Sequence, residues 1–529
     1  MNVGSERTFT RTEKTAYRIL SGFGRVNYNY NMKYLLSFTA RYDGISRLKD
    51  NRWGFFPGVS VGWNIMEEDF WKESKVSDIV SNLKPRLSYG VNGNVNGIGN
   101  YEVYGEYAQV DAKTYGGATA LYNKKLLNTN LRWEQSQTFE VGLDIGFLQN
   151  RLSFILDFYS RRTKDLLTKQ ALPGYTGFSD IVTNMGTLRN SGFEAEVKAN
   201  IINKGGFTWD MTANITSVAN KIISLPYNNV ENNRVGGYEV AAGKVDADGK
   251  FPTKWIAGRQ EGGKLGELVG YRQQHVFKDW DDVKQHANLR VDEVANLYGP
   301  GLADQINPAT GKTYKESSGW QPIEPGDACW EDINGDNIIN GYDRSVMGNI
   351  FPNVTGGFST TFGYKGLSLY ARFDYALGHT LYNDLKARSL GQYQGQFNII
   401  TDVKDMWSEA NPNSDLTKFY YADQLAKKNI TRSNNASTAA DNNSSRYYEK
   451  GDYLALREIT LSYQLPKSLI SKAHLTEASV YVTGQNLFYI TGYDGVSPEP
   501  AVSTTYGRGI DNGRYPTPRT FLFGLSLTF

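Results

Sequence analysis

Over much of this chain every second residue is apolar. Phe139, Val141, Leu143, Ile145 and Phe147 share one parity, with Glu140, Gly142, Asp144 and Gly146 between them. After the link Leu148-Gln149-Asn150 the pattern resumes with Leu152, Phe154, Leu156 and Phe158 against Ser153, Asp157 and Tyr159. Side chains on a strand point alternately to its two faces, so this period of two predicts strands, and the short link predicts a hairpin. Phe193, Ala195, Val197 and Ala199 set against Glu194, Glu196, Lys198 and Asn200 repeat it, as do Phe207, Trp209, Met211, Ala213 and Ile215 beyond the link 201–206. Thirteen such strands are expected, near 16–30, 33–44, 57–66, 84–94, 133–147, 151–164, 184–200, 207–220, 354–364, 366–378, 451–465, 477–489 and 518–529. Helix is scarce, with 67–82 the best short candidate, and there is no short-period repeat.

Two all-β architectures fit alternating strands: a soluble sandwich with its polar face outward, or a transmembrane barrel with its apolar face to lipid and its polar face to a lumen. Three observations favour the barrel. Many of the strands run 11–15 residues, against about 5–6 in soluble sheets and about 9–11 for a tilted membrane strand. The links alternate between short or moderate (31–32, 67–83, 148–150, 201–206, 365, 466–476) and longer (45–56, 95–132, 165–183, 221–353, 379–450, 490–517), like the two rims of an outer-membrane barrel. Aromatics stand near strand ends, at Tyr34, Tyr42, Trp63, Trp133, Tyr364, Tyr375 and Tyr463, as interfacial girdles do.

Composition limits the remaining choices. The mean hydropathy of −0.49 resembles that of a soluble protein, but a barrel with a wet lumen and polar loops produces the same value. No run of about 18 apolar residues is present, so no helical membrane span is expected. The formal charge of +2 gives no reason to expect a nucleic-acid partner. Cys329 is the single cysteine among 529 residues, which rules out an intrachain disulfide and a multi-cysteine zinc site. The opening Met1-Asn-Val-Gly-Ser-Glu-Arg7 has no apolar core of a signal peptide. Since the last strand and the first of thirteen would run in the same direction, and single-chain bacterial barrels have even strand numbers, thirteen is expected to be part of a barrel lacking its N-terminal portion.

The last strand alternates most cleanly: Phe521, Phe523, Leu525, Leu527 and Phe529 against Thr520, Gly524, Ser526 and Thr528. A chain closing on an aromatic in such a strand is similar to the signal read by outer-membrane assembly machinery. Further segments recur in one order: Lys33-Tyr-Leu-Leu-Ser-Phe-Thr-Ala-Arg-Tyr-Asp-Gly44, Trp53-Gly-Phe-Phe-Pro-Gly-Val-Ser-Val-Gly-Trp63, Leu83-Lys-Pro-Arg-Leu-Ser-Tyr-Gly90, Leu131-Arg-Trp-Glu134, Tyr159-Ser-Arg-Arg-Thr-Lys-Asp-Leu-Leu167, Asn190-Ser-Gly-Phe-Glu194, Gly451-Asp-Tyr-Leu-Ala-Leu-Arg-Glu-Ile-Thr460, Gly484-Gln-Asn-Leu-Phe488 and Tyr515-Pro-Thr-Pro-Arg-Thr520. Each is weak alone. Together they resemble the SusC/RagA-type TonB-dependent transporters of Gram-negative outer membranes. The resemblance implies a 22-stranded barrel closed by a plug and importing a large nutrient, energised by the TonB-ExbB-ExbD complex. It also implies a SusD-like surface lipoprotein as lid and outer-membrane lipid around the strands. On this reading 1–529 is the C-terminal part of one receptor barrel, with 221–353 and 379–450 as long extracellular loops. Loops rich in Tyr, Trp and Asn suggest an oligosaccharide first and a peptide second; a soluble or surface glycan-binding β-protein is the alternative.

One motif carries explicit site chemistry. Asp332, Asn334, Asp336, Ile338 (through its carbonyl), Asn340 and Asp343 fall at positions 1, 3, 5, 7, 9 and 12 of a calcium-loop spacing. Position 6, which needs positive φ, is Asn337 instead of Gly, and position 12 is Asp instead of Glu. No helix pair flanks it, so the expectation is a structural clamp holding Ca²⁺, with Mg²⁺ the alternative ion. Asp246-Ala-Asp248-Gly249 reads as a turn.

Enzyme signals are weak. Gly58-Val-Ser60-Val-Gly62 matches G-x-S-x-G, but Ser60 falls inside a strand and not on a strand-to-helix elbow. His275, His286, His379 and His474 lie far apart and read as surface or loop residues. Glu194, Glu196 and Asp144 are expected to line a lumen, so no catalytic residue is assigned. Asn435-Ala-Ser437 carries no weight, and the low-complexity stretch 432–446 reads as a loop tip.

Overall fold

A computed structural model describes residues 14–529 apart from 106, 116–117, 124, 393–397, 399, 420–442, 500–508 and 514. Most of the 432–446 stretch and the 435–437 sequon lie outside the described residues. Thirteen long strands form one sheet: β1 Ile19–Tyr30, β2 Tyr34–Ile45, β3 Trp53–Trp63, β4 Val80–Asn94, β5 Glu134–Phe147, β6 Leu152–Ala171, β7 Asp180–Lys204, β8 Phe207–Ser224, β9 Val354–Tyr364, β10 Leu367–Leu377, β11 Tyr453–Gln464, β12 Glu477–Thr491 and β13 Thr520–Thr528. Their hydrogen-bonded order is their order in the chain. Each of the thirteen segments read from the sequence coincides with one of them.

The boundaries differ where pairing outlasts the alternation. Backbone hydrogen bonds carry β6 to Ala171 and β7 across Asp180–Lys204, since pairing needs only amides and carbonyls. Of the links expected to be long, 165–183 is thereby reduced to 172–179, and 45–56 shrinks to 46–52 because β3 begins at Trp53; the largest connection begins at 225. The helix expected over 67–82 is a single turn, Asp69–Lys72, between 3₁₀ turns Ile65–Glu67 and Lys75–Asp78. The Ser74 side chain accepts from the amide of Val76 and caps a new turn, so the helix ends there.

Two compact units divide the chain. The first comprises 1–195, 219–234 and 260–262 and contains β1–β6 with the first part of β7. Its strands pair antiparallel, as in Tyr34↔Trp63 and Val141↔Phe158, with one irregularity between Val80 and Asn82 at the start of β4. Tyr34 stacks on Trp63 at 6.5 Å and Tyr42 on Trp53 at 5.1 Å, at the ends of β2 and β3. Trp133, expected in a girdle, is instead buried beside Phe56, Ile45, Leu48 and Leu131, where the 95–133 connection packs on the strand ends. Its indole donates to the Arg52 carbonyl, which satisfies the one polar atom it buries.

In the second unit (196–218, 235–259 and 263–529), β9 to β13 continue the antiparallel register. Most of its buried apolar clusters draw on the connections, such as Phe277, Val283, Ala287, Leu297 and Cys329, or Tyr382, Leu390, Met406 and Tyr447, while a small one, Ala376, Tyr453 and Ala455, lies on the strands themselves. In both units the apolar rows of the strands stay exposed: Phe38, Val59, Val61, Val141 and Phe158 in one, Leu461, Val480, Phe521, Phe523 and Leu525 in the other. A contiguous exposed apolar surface of this kind marks an interaction surface, and here it is the face that alternation assigns to lipid.

Candidate functional site

The opposite face of the strands holds the charges. In the first unit Arg86 on β4 is the hub. Its Nε and Nη2 each lie 2.9 Å from Asp144 Oδ1, Nη2 also reaches Asp157 Oδ1 at 2.9 Å, and Nη1 is 3.8 Å from Glu140 Oε1. Lys84 reaches Asp144 at 3.6 Å. The carboxylates come from β5 and β6 at positions that alternation predicts to face a lumen. Gly142 is what lets them meet: a Cβ there would stand 2.4 Å from Asp157 Oδ1 and 2.8 Å from Arg86 Cζ. The sequence shows a glycine among acids on the polar parity, but not that it makes room for a guanidinium. Ser60 lies in β3 as expected and lines two clefts of about 390 and 350 Å³ with Ser37, Ser88 and Glu140.

In the second unit the hub is Arg457. Against β10 the pairing skips from Leu456 to Glu458 while Arg372 and Phe373 stay consecutive, so Arg457 is the extra residue of a β-bulge. Bulges re-aim a side chain, and this one sends the guanidinium to Asp374, to Glu499, and to Tyr489 Oη at 3.0 Å. Its Nη2 is 2.9 Å from Asp374 Oδ2, which makes the Asp374 pairing two-pronged, and Tyr489 in turn donates to Glu499 at 2.8 Å. A cleft of about 450 Å³ opens beside it, lined by Thr212, Asn214, Ser359, Arg372 and Asp374. Tyr375, expected in a girdle, is half-buried here and donates to the Asn214 carbonyl at 3.1 Å. Sequence reasoning missed the bulge because it leaves no mark in the alternation.

The 332–343 loop is a succession of turns held by its own side chains. Asp332 accepts from the amides of Gly335 at 2.7 Å and Asn337 at 2.9 Å, and Asp336 accepts from Ile338 at 2.7 Å. Asn337 has φ of 65°, as position 6 requires. Asn340 and Asp343 form a reciprocal cap around the 3₁₀ turn Gly341–Asp343. Asn334 and Asp343 are buried. Burial, with the charges of Asp332 and Asp336 adding to it, pushes the Asp343 carboxyl up to about 6 against the lowering effect of the Asn340 and Ile333 amides. Two carboxylates, Asp332 and Asp336, acting on the buried third, Asp343, make a donor set that a hard divalent cation would relieve. Among the described residues, however, these three do not all bring an oxygen within 4.8 Å of one another; each is held by backbone amides instead.

Asp246 accepts from Asp248 at 3.0 Å and Lys250 at 2.8 Å and forms the expected turn. Of the four histidines read as surface or loop residues, His286 and His474 are exposed, whereas His275 is half-buried and His379 is enclosed. His379 is buried, its Nε2 2.8 Å from the Pro498 carbonyl. His275 and His286, eleven positions apart, meet at Asp282, because a strand-to-helix corner folds one back over the other. His474 takes φ of 59° at the end of a turn.

Comparison with known proteins adds three findings. A family model for TonB dependent receptor-like β-barrels matches residues 2–313. TonB-dependent receptor SusC of Bacteroides thetaiotaomicron is 31% identical over 536 residues, covering 98% of this chain and 45% of that protein, and TonB-dependent receptor P3 of Formosa agariphila is 30% identical over 519 residues, covering 97% and 45%. A solved structure of the RagAB peptide transporter superposes with a TM-score of 0.68 at 23% identity, covering 97% of this chain and 48% of that one. The chain thus spans about half the length of the curated relatives it matches.

Proposed function

The chain belongs to the TonB-dependent receptor β-barrel family, as a SusC/RagA-type member of the Gram-negative outer membrane, and from that premise we propose that it serves the TonB-energised import of a large polar nutrient, an oligosaccharide first. The observation that carries this reading is the division of each strand. Exposed apolar rows suit lipid, while the other face carries charges and clefts of 350–450 Å³. The long connections also hold exposed aromatics, Tyr101, Tyr104, Tyr227, Trp280 and Tyr515. Their flat faces suit sugar rings. A SusD-like lipoprotein over those connections and the TonB-ExbB-ExbD complex are the partners this reading requires. No catalytic step is part of it.

The experiment is uptake by cells with and without the intact gene, supplied with labelled oligosaccharides or labelled peptides. Loss of oligosaccharide uptake alone supports the first reading. Loss of peptide uptake alone replaces it with the second, for which the match to a peptide transporter is the motive. Unchanged uptake of both sinks the import role.

We further propose that Asp332, Asn334, Asp336, Ile338, Asn340 and Asp343 hold one Ca²⁺, which would neutralise the facing carboxylates and fix the loop. The buried, upward-shifted Asp343 supports this. Calcium should protect 325–345 from proteolysis. If saturating calcium leaves cleavage there unchanged, the loop is a turn held by its own amides.

A further inference from the structure

His275 lies in the short strand Gln273–Val276, and Asp282 and His286 lie one turn apart on α1, Trp280–Ala287. Asp279 starts that helix by accepting the Asp282 amide at 2.9 Å. Val283 and Ala287 pin its inner face into a buried cluster with Phe277. The spacing of four places Asp282 and His286 on one face, and the strand-to-helix corner brings His275 to the same point. His286 Nδ1 is 2.8 Å from Asp282 Oδ1, and His275 Nε2 is 3.2 Å from the same oxygen. The other carboxylate oxygen is occupied by the Lys278 amide at 3.0 Å, which fixes its orientation. Among the described residues this is the one group of three His, Cys, Asp or Glu side chains whose ligand atoms all lie within 4.8 Å of one another.

We propose that His275, Asp282 and His286 form a binding site for a divalent transition metal, zinc above others, on the 225–353 connection. Zinc bonds imidazole nitrogen and carboxylate oxygen at about 2.0–2.2 Å, so two ligands at a tetrahedral angle stand ~3.3 Å apart. The observed 2.8 and 3.2 Å are close to that, and small ring rotations reach it. The carboxylate is almost wholly buried while both imidazoles are partly open, with side-chain exposures of 6%, 35% and 42% for Asp282, His275 and His286. That arrangement offers three protein ligands and an open fourth position for water or a ligand from outside. Two nitrogens and one oxygen select zinc, copper or nickel over calcium, which needs six or more oxygens. The site is therefore chemically distinct from the 332–343 loop, and it does not depend on which nutrient is carried. Cys329 is not part of the group: burial raises its thiol, which sits against Arg290 and Gln274.

The test uses the full-length protein purified in detergent with calcium in excess. It is titrated with ZnCl₂ by calorimetry and with Co²⁺ by visible absorption. Wild type should bind one equivalent of zinc and show the d–d bands of four-coordinate Co²⁺. His286→Ala and His275→Ala should each weaken zinc binding at least about tenfold and abolish the bands. Heat-modifiable gel mobility reports that each variant is folded, and the partly exposed position of His286 makes its truncation tolerable. If wild type takes up no zinc beyond what His286→Ala takes up, or if the bands persist in both variants, the proposal is wrong and the group is only a hydrogen-bonded Asp–His cluster.

Discussion

Replacing Arg457 with methionine removes the cation that Asp374 and Glu499 share. Breaking a buried ion pair costs about 3–5 kcal/mol, whereas an exposed pair is worth about 0–1 kcal/mol. The side chains of Arg457, Asp374 and Glu499 are 18%, 36% and 34% exposed, which places this network between those limits. A loss of about 2 kcal/mol is expected after that discount for solvent screening. Arg457→Lys keeps the charge but not the two-pronged pairing with Asp374, so about half the loss should remain. In the double variant Arg457→Met/Asp374→Asn one orphaned charge is gone, and at least about 1 kcal/mol should return. The assay is guanidinium unfolding of the detergent-purified protein, followed by tryptophan fluorescence and by heat-modifiable mobility. If Arg457→Met stays within about 0.5 kcal/mol of wild type, or if the double variant merely adds the two single effects, the bulge does not exist to serve these carboxylates.

Gly93→Ala should destabilise the first unit by about 1–3 kcal/mol, since its Cβ would stand 2.2 Å from the Phe56 ring; Phe56→Leu in the same chain should recover part of that in the same unfolding assay, and two fully additive losses would count against the clash. Val141→Arg places a charge on the lipid face and should cost about 2–4 kcal/mol near mid-membrane, while Glu140→Gln on the opposite face should leave outer-membrane assembly unchanged; equal effects would refute the assignment of faces. Stripping calcium with a chelator should expose 325–345 to protease and leave the strands intact, as mass mapping of the fragments would show. Burial lowers the pKa of Lys386, but the Asp494 hydrogen bond and the charges of Glu449 and Asp494 outweigh it and raise the value above 10.5. Its stabilisation is thus complete below 10.5 and is lost as pH rises through the higher folded value. Lys386→Met should lower the melting temperature at neutral pH and have a smaller effect in strong alkali; a constant difference across pH would argue against the pairing.

The strands were legible because their signal is local: a residue's parity alone tells which side it takes, and Phe521 to Phe529 declare it without help from any partner. The tight turns were legible for a similar reason, as at Gly205-Gly206, whose φ values of 66° and 80° suit a hairpin link. Pairing beyond the apolar pattern, in β6 and β7, was not, because backbone amides pair whatever side chains they carry. Trp133 shows another limit. An aromatic at a strand end can serve a girdle or a core, and what decides is the 95–133 connection, which places Leu131 and Val103 around it. In the 332–343 loop the positive φ of Asn337 was legible from spacing within twelve residues. The group at His275, Asp282 and His286 was not, because its members are set by a corner between strand and helix and match no fixed motif.

Most of the buried clusters draw on the connections, while the strands keep their apolar rows outward, and this gives the chain two solvents to satisfy. The strands meet lipid, where apolar contact gains little from expelling water and each unpaired amide is costly. The connections meet water, and their clusters at Phe277 or Tyr447 obey the ordinary hydrophobic effect, with its heat capacity and its weakening in the cold. The two parts therefore need not melt together, nor respond alike to detergent, urea or temperature. They also answer to different selection: a connection can change its surface as long as it fills its own small core, without disturbing a single residue that lipid touches.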